Sequence, residues 1–184
     1  TEVLYLSNSQ ASSNIKTLTS EKVYIVPETQ VLPQLGRLII EAGTELRFRQ
    51  FARLDILGSL EIKGSVNNPV YLTSLDDRPG KYAGQWGGLW LTEYSSATID
   101  HAVIEGAKDG ITIFHKGSDT VIRNSLLQNN GVGILMYADN RYRQAVRPLV
   151  KGNTLREGGS AVLIYGDARP QIIEGNIIRQ NDPG

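Results

Sequence analysis

The chain contains no cysteine. Disulfides, iron–sulfur clusters and thiol nucleophiles are therefore excluded, although the absence fixes no compartment, because a long β-array needs no covalent staple. Net charge is missing as well: 19 Lys and Arg balance 19 Asp and Glu over 184 residues. A neutral chain lacks the basic footprint that attracts a phosphate backbone, so no nucleic-acid partner is expected. It also lacks the polybasic clusters of a membrane-surface binder. No apolar run approaches the roughly 18 residues that span a bilayer, and no transmembrane segment is expected. There is no Asn-x-Ser/Thr sequon. Nor is there a Gly-rich phosphate loop, a His/Cys metal cluster or a Ser-His-Asp spacing. Aromatic residues make up only 7% of the chain. Both tryptophans nevertheless fall in one stretch, "GQWGGLWL" (84–91), among three glycines.

What is present is repetition. "HAVIEGAKDGITIF" (101–114), "NSLLQNNGVGILMY" (124–137), "NTLREGGSAVLIY" (153–165) and "NIIRQN" (176–181) resemble one another. Their first residues, His101, Asn124, Asn153 and Asn176, are spaced by 23, 29 and 23 residues. Each is followed by apolar residues, then a Gly/Asn cluster, then an apolar run ending in Phe114, Tyr137 or Tyr165. The longer spacing reflects an insertion, "ADNRYRQAVRP", where the next repeat has "GDARP". A period in the twenties indicates a solenoid. The segments "TVIR", "GILMY", "AVLIY" and "PQIIEG" are short, β-branched and alternating, and none has the length or 3.6 periodicity of a helix. The spacing of a leucine-rich repeat is absent. The pattern predicts an all-β chain: a parallel β-helix, a single-stranded solenoid of about 23 residues per coil.

The first half fits with looser repeats: "VYIV" (23–26), "RLII" (37–40), "TELRFR" (44–49), "RLDIL" (53–57), "SLEIKG" (59–64) and "PVYLTS" (69–74), separated by Gly, Pro and Asn turn signals. Alternation points Leu46, Phe48, Leu60 and Ile62 inward. Residues 1–22 match no repeat and are expected to form an N-terminal cap over a β-helix of residues 23–184. The chain starts at Thr1 without a visible signal peptide, and "NIIRQNDPG" begins a coil without finishing it. This predicts a piece of something longer. Its open C-terminal coil should expose apolar side chains and free strand backbone, and so favour end-to-end self-association.

These residues resemble the right-handed parallel β-helix superfamily, the pectin-lyase-like fold. "RLIIEAGTELRF" (37–48) is similar to its frequent coil. "LDILGSLEIKGSVNNPVYLTS" (54–74) followed by "GQWGGLWL" is similar to a succession found in extracellular, non-enzymatic β-helix proteins of bacterial surfaces and of animal junction ectodomains of the bark-beetle type. The third element is the "I-x-x-N-x-I/L" repeat from about residue 97. The resemblance implies an extracellular or cell-surface location and a fold, while the superfamily spans lyases, hydrolases, epimerases, adhesins and non-catalytic modules.

Within that frame Leu89 and Leu91 should point into the coil and Trp90 outward, where it is either a sugar platform or a residue covered by its own loop. Trp86 should cover the coil at a corner, with Gly87 and Gly88 allowing close backbone approach or positive φ. Asn124, Asn153 and Asn176, with His101 in the same slot, should stack about 4.8 Å apart and satisfy turn backbone. Phe114, Tyr137 and Tyr165 should form a second stack. Asp139 and Asp167 each fall two residues after a stacked Tyr, beside Arg141, Arg143 and Arg169. Such carboxylates can share a proton or bind Ca²⁺, and arginines can hold a uronate; equally, such residues cap turns or form surface ion pairs of little net energy. Arginine nearby lowers a carboxylate's pKa, which disfavours the protonated acid that glycoside hydrolysis needs. The epimerase "DPHD" and the hydrolase "NTD … DD … HG" signatures are absent. The expectation is thus a non-catalytic module, a rigid scaffold or a surface for a glycan or protein on the loop face. Trp90, Asp139, Arg141, Arg143, Asp167 and Arg169 are the binding candidates, and no catalytic residue, metal or cofactor is assigned. The alternative is a polysaccharide lyase, hydrolase or epimerase acting through the loop face 115–169.

Overall fold

The computed structural model describes residues 1–5, 15–76, 82–114, 119–138, 147–166 and 172–181. Among them there is no helix, and the strands form sheets of eight, seven and six. Every strand pairing recorded is parallel. One coil shows the plan. Ser96–Asp100 lies in the seven-stranded sheet, Ala102–Glu105 in the eight-stranded sheet and Asp109–Phe114 in the six-stranded sheet. These sheets are called here the second, first and third. The chain is a right-handed parallel β-helix, the solenoid that the repeats predict with the hand that the resemblance implies.

Alternation builds the core. On the second sheet Ile40, Ile62, Ile99, Ile122 and Val150 stack in register, each fully buried. On the first, Leu46, Leu72, Ile104, Leu127 and Leu155 do the same. On the third, Ile56, Leu91, Ile113 and Met136 complete the interior. Each such side chain contributes about 1.5–3 kcal/mol of apolar burial. Strands of three to seven residues suffice because every coil lends its neighbour an aliphatic row at the next rung.

Residues assigned to a cap by sequence already pair within the array. Glu2–Val3 lies in register with Tyr24 and Ile25, and Ile15–Leu18 with Arg37 to Ile40. Leu4 and Leu18 are buried, and they close the lower end of the core.

The corners explain the asparagines, with a correction of register. Between the second and first sheets, the turn residue has positive φ in each of the four coils from Ser96 onward: His101 (50°), Asn124 (52°), Gly152 (65°) and Gly175 (61°). His101 and Asn124 do share a slot, but Asn153 and Asn176 fall one residue later, in line with Ala102 and Ser125. This second slot is buried and forms the ladder. Ser125 Oγ accepts the Ala102 N–H at 3.1 Å, Asn153 Oδ1 accepts that of Ser125 at 3.0 Å, and Asn176 Oδ1 accepts that of Asn153 at 2.9 Å. Each inner side chain therefore joins its coil to the one before. A like arrangement, unforeseen from the sequence, occupies the corner between the first and third sheets. There Asn129, Glu157 and Gln180 take positive φ, and Asn130 and Asn181 turn inward to accept the N–H groups of Ala107 and Gly158 at 2.9 and 3.2 Å.

The two tryptophans have different roles. Trp86 is buried, stacked on Phe48 with ring centroids 4.0 Å apart, and its Nε1 donates to Glu105 O at 2.8 Å. It is a packing residue. Gly88 has φ 101°, and a Cβ there would stand 1.7 Å from Asp109 O, so no other residue fits between that corner and the next coil. Leu89 and Leu91 point inward while Trp90 is only partly buried, in keeping with an outward position.

Candidate functional site

Of the residues picked out by sequence, Trp90 is described; Asp139, Arg141, Arg143, Asp167 and Arg169 lie outside the described residues. Trp90 sits on the outer face of the third sheet, in register with Asp55 below and Thr112 above. The Arg53 guanidinium lies 3.9 Å from its ring centroid and is itself held by Asp55 through two bonds of 2.7 and 3.0 Å. Phe114 meets Trp90 with centroids 5.1 Å apart at 49°. The Trp90 Nε1 and the Thr112 Oγ1 are both buried without a hydrogen-bond partner. An unmet buried donor costs about 1–3 kcal/mol, which an oxygen of a bound molecule would relieve.

The aromatic stack follows from this point. Phe114, Tyr137 and Tyr165 are paired in register, one per coil, and Phe114 and Tyr137 meet edge to face at 6.0 Å. Tyr137 is 40% and Tyr165 51% exposed. The row climbs the outer face of the third sheet and ends each strand just before the segments that carry the candidate Asp and Arg residues.

A second polar constellation lies at the corner between the second and first sheets. On the outer face of the second sheet Glu41, Lys63, Asp100, Arg123, Lys151 and Glu174 follow one another in register. Asp100 is its best-connected member. Its Oδ2 accepts from Arg123 at 2.8–2.9 Å and its Oδ1 from Asn124 at 3.0 Å, and His101 Nδ1 stands 2.8 Å from that same Oδ1. Burial pushes the Asp100 carboxyl up, but the bonds from Asn124 and Arg123 outweigh it and hold the group below the usual range. Glu61, bonded by Arg37 and opposed only by partial burial, is also held low, with Lys63 at 3.2 Å adding to the effect. The sequence signal for this constellation was present: Asp100-His101 and Arg123-Asn124 recur at the 23-residue period. By sequence alone His101 reads as a turn residue, which hides its part in the constellation.

Among the described residues no group of three or more His, Asp or Glu side chains is placed to hold a metal ion, and no helix is long and apolar enough to cross a membrane.

Asp109 is a carboxylate in the opposite state from Asp100. Burial raises its pKa, with only partial relief from Lys108. A carboxyl whose pKa is raised on folding adds stability below its unfolded value, and that stability is lost as pH rises through the folded value. Asp109→Asn is therefore expected to raise the melting temperature at pH 7 and to leave it unchanged or lower at pH 3. Thermal melts at the two pH values check this, and equal shifts at both would contradict it.

A family model described as a right handed beta helix region matches residues 82–184. A search of the curated proteins and a search of the solved structures each returned no match.

Proposed function

The chain belongs to the right-handed β-helix family, and from that premise we propose that it is a non-catalytic extracellular module. It is a rigid scaffold that presents a glycan- or protein-binding face on the outside of the third sheet. The observation that carries this reading is the outward aromatic row, Phe114, Tyr137 and Tyr165, one residue per coil, with Trp90 packed against Phe114 from the neighbouring outward column. Aromatic faces offer a large contact area at small entropic cost and suit the apolar faces of sugars or a protein partner. A solenoid displays them at a fixed pitch of about 4.8 Å. The loop residues Asp139, Arg141, Arg143, Asp167 and Arg169 follow this row in sequence, and the arginines among them suit an anionic sugar or acidic partner.

Incubation with pectate, alginate and neutral glycans tests it. Binding without cleavage is expected, weakened when Trp90 is replaced by Ala and again when Arg141, Arg143 and Arg169 are replaced. Measurable turnover abolished by Asp139→Asn or Asp167→Asn would replace the reading by the enzyme alternative, a polysaccharide lyase, hydrolase or epimerase.

A further inference from the structure

The corner between the second and first sheets does more than turn the chain. In the four coils from Ser96 onward one or two residues make this turn, with His101, Asn124, Gly152 or Gly175 at positive φ. Between Ser59–Lys63 and Val70–Ser74 six residues stand in its place, "GSVNNP". They project as a ledge, with Val66 81% exposed at its edge. Ser65 and Asn68 close the ledge on itself through mutual backbone bonds of 3.1 and 3.2 Å. Above it runs a groove of about 380 Å³, lined by Ser65, Val66, Pro69, His101, Asn124 and Leu126 among others. That volume lies at the lower end of the range for small-molecule sites. In solenoids, per-coil insertions on one face are where binding concentrates.

The polar groups at the groove are uncharged or paired. The Asp100 carboxylate is anchored by Arg123 and Asn124 and stands 2.8 Å from His101 Nδ1. In the neutral ring this places the proton on Nδ1 and leaves Nε2, on the opposite edge, as an acceptor. Asn124 gives one of its two Nδ2 hydrogens to Asp100 and keeps the other together with its Oδ1, and that oxygen faces the Gly152 side of the groove, 3.2 Å from where a Cβ would stand. Ser65 Oγ already accepts the Asn68 N–H at 3.2 Å and keeps its own hydroxyl hydrogen and a lone pair. The cations of the neighbouring column are matched by carboxylates: Arg123 by Asp100, Lys63 by Glu61 at 3.2 Å and Lys151 by Glu174 at 2.5 Å. The floor and wall, Val66, Pro69, Val103 and Leu126, are apolar.

A rim of uncharged acceptors and donors over an apolar floor, with the adjacent described cations paired, selects a ligand that brings several hydroxyls, an apolar face and no charge. We propose that this corner groove is a binding subsite for a neutral sugar ring, with His101 Nε2 and Asn124 Oδ1 accepting from its hydroxyls and Val103 and Leu126 under its C–H face. A uronate is disfavoured, because its carboxylate would find no unpaired Lys or Arg among the described residues of this corner. The proposal rests on the carbohydrate-binding part of the reading above, but on different residues and a different face.

The test uses the whole chain, labelled for NMR, with the methyl glycosides of glucose, galactose and mannose as neutral probes and glucuronate as the charged one. At least one neutral glycoside should shift the His101 and Asn124 resonances saturably, with glucuronate at least about tenfold weaker. His101→Asn keeps a side chain that the turn accepts, since Asn124 holds the same slot at φ 52°. It should weaken the neutral ligand about tenfold, the scale of one lost hydrogen bond. Ser65→Ala should weaken it less. Trp90→Ala, on the third sheet, should leave these shifts unchanged, so failure of binding on that face is separable from failure here. Equal binding of glucuronate, no saturable shift with any neutral probe, or unaltered affinity in His101→Asn would each overturn the proposal.

Discussion

Asn153→Ala is expected to cost about 3–5 kcal/mol and, in a chain of ordinary stability, to leave a large unfolded population at 37 °C. Asn153 is fully buried between two coils. Its Oδ1 accepts the Ser125 N–H at 3.0 Å, and its Nδ2 donates to Ile122 O at 2.9 Å and to Asn176 Oδ1 at 3.0 Å. Truncation strands a backbone N–H and a backbone C=O where water cannot reach, and each such loss costs about 1–3 kcal/mol. The small void that remains adds to this. Asn153→Ser should recover part of the loss, because Ser125 in the same slot reaches the N–H of the coil below at 3.1 Å. Asn124→Gly is the control. Asn124 is the outward residue of the corner, and its slot already holds glycine at 152 and 175. The lost bond to Asp100 is offset by relief of the positive φ, so the net change should stay within about 1 kcal/mol. Urea denaturation of the three variants decides the matter. If Asn153→Ala and Asn124→Gly cost the same, the buried ladder is not what joins the coils.

That contrast also shows where sequence reading succeeds and where it slips. The fold was legible because the 23-residue period and the alternation in "TELRFR" and "SLEIKG" report two independent things, coil length and which face is inside. Both demands are local and repeated, so one misread coil does not spoil the pattern. The asparagine ladder was legible in kind but not in register. Aligning on the letter Asn puts Asn124 with Asn153, whereas the backbone aligns on the positive-φ residue, which is His101, Asn124, Gly152 and Gly175 in turn. Asn, His and Gly are interchangeable for that conformation and not for the buried slot after it, so residue identity alone misled. Asn130 and Asn181 stayed hidden for the same reason: each follows a polar positive-φ residue, and the pair reads as a turn cluster. At the candidate site, the outward position of Trp90 follows from alternation with Leu89 and Leu91. The Arg53 that covers it does not, because Arg53 stands one coil below across an irregular connection, and no spacing rule carries register through residues 75–87. The corner groove depends on the same kind of information, namely that the six-residue ledge at 64–69 meets the single-residue turn at His101.

Trp86→Ala is expected to be as costly as loss of the ladder, about 3–5 kcal/mol, through packing and not polarity. The indole is the largest fully buried side chain of the described residues. It fills the corner between the first and third sheets, where the coil turns after Glu105 and no aliphatic column reaches. One face is stacked on Phe48 at an interplanar angle of 16°, a contact worth about 0.5–1.5 kcal/mol beyond burial. Its Nε1 bond to Glu105 O supplies a donor to the next coil's strand. Alanine would leave a cavity lined by Phe48 and Ala107 that the aliphatic columns on either side, locked by register, cannot collapse to fill. Trp86→Phe separates the two contributions. It restores most of the volume and a stacking partner but leaves Glu105 O without its donor, so a loss of about 1–3 kcal/mol is expected. Because coils contact only their neighbours, the damage should be felt first in the adjoining coils that Phe48 and Glu105 belong to. Hydrogen exchange should speed up there before it does near Leu155. Trp90→Ala, on the outer face, should cost less than half as much. Chemical denaturation followed by far-UV circular dichroism ranks the three variants. A smaller loss in Trp86→Ala than in Trp90→Ala would mean that the stability of this corner resides in the outer aromatic row instead of in the indole beneath it.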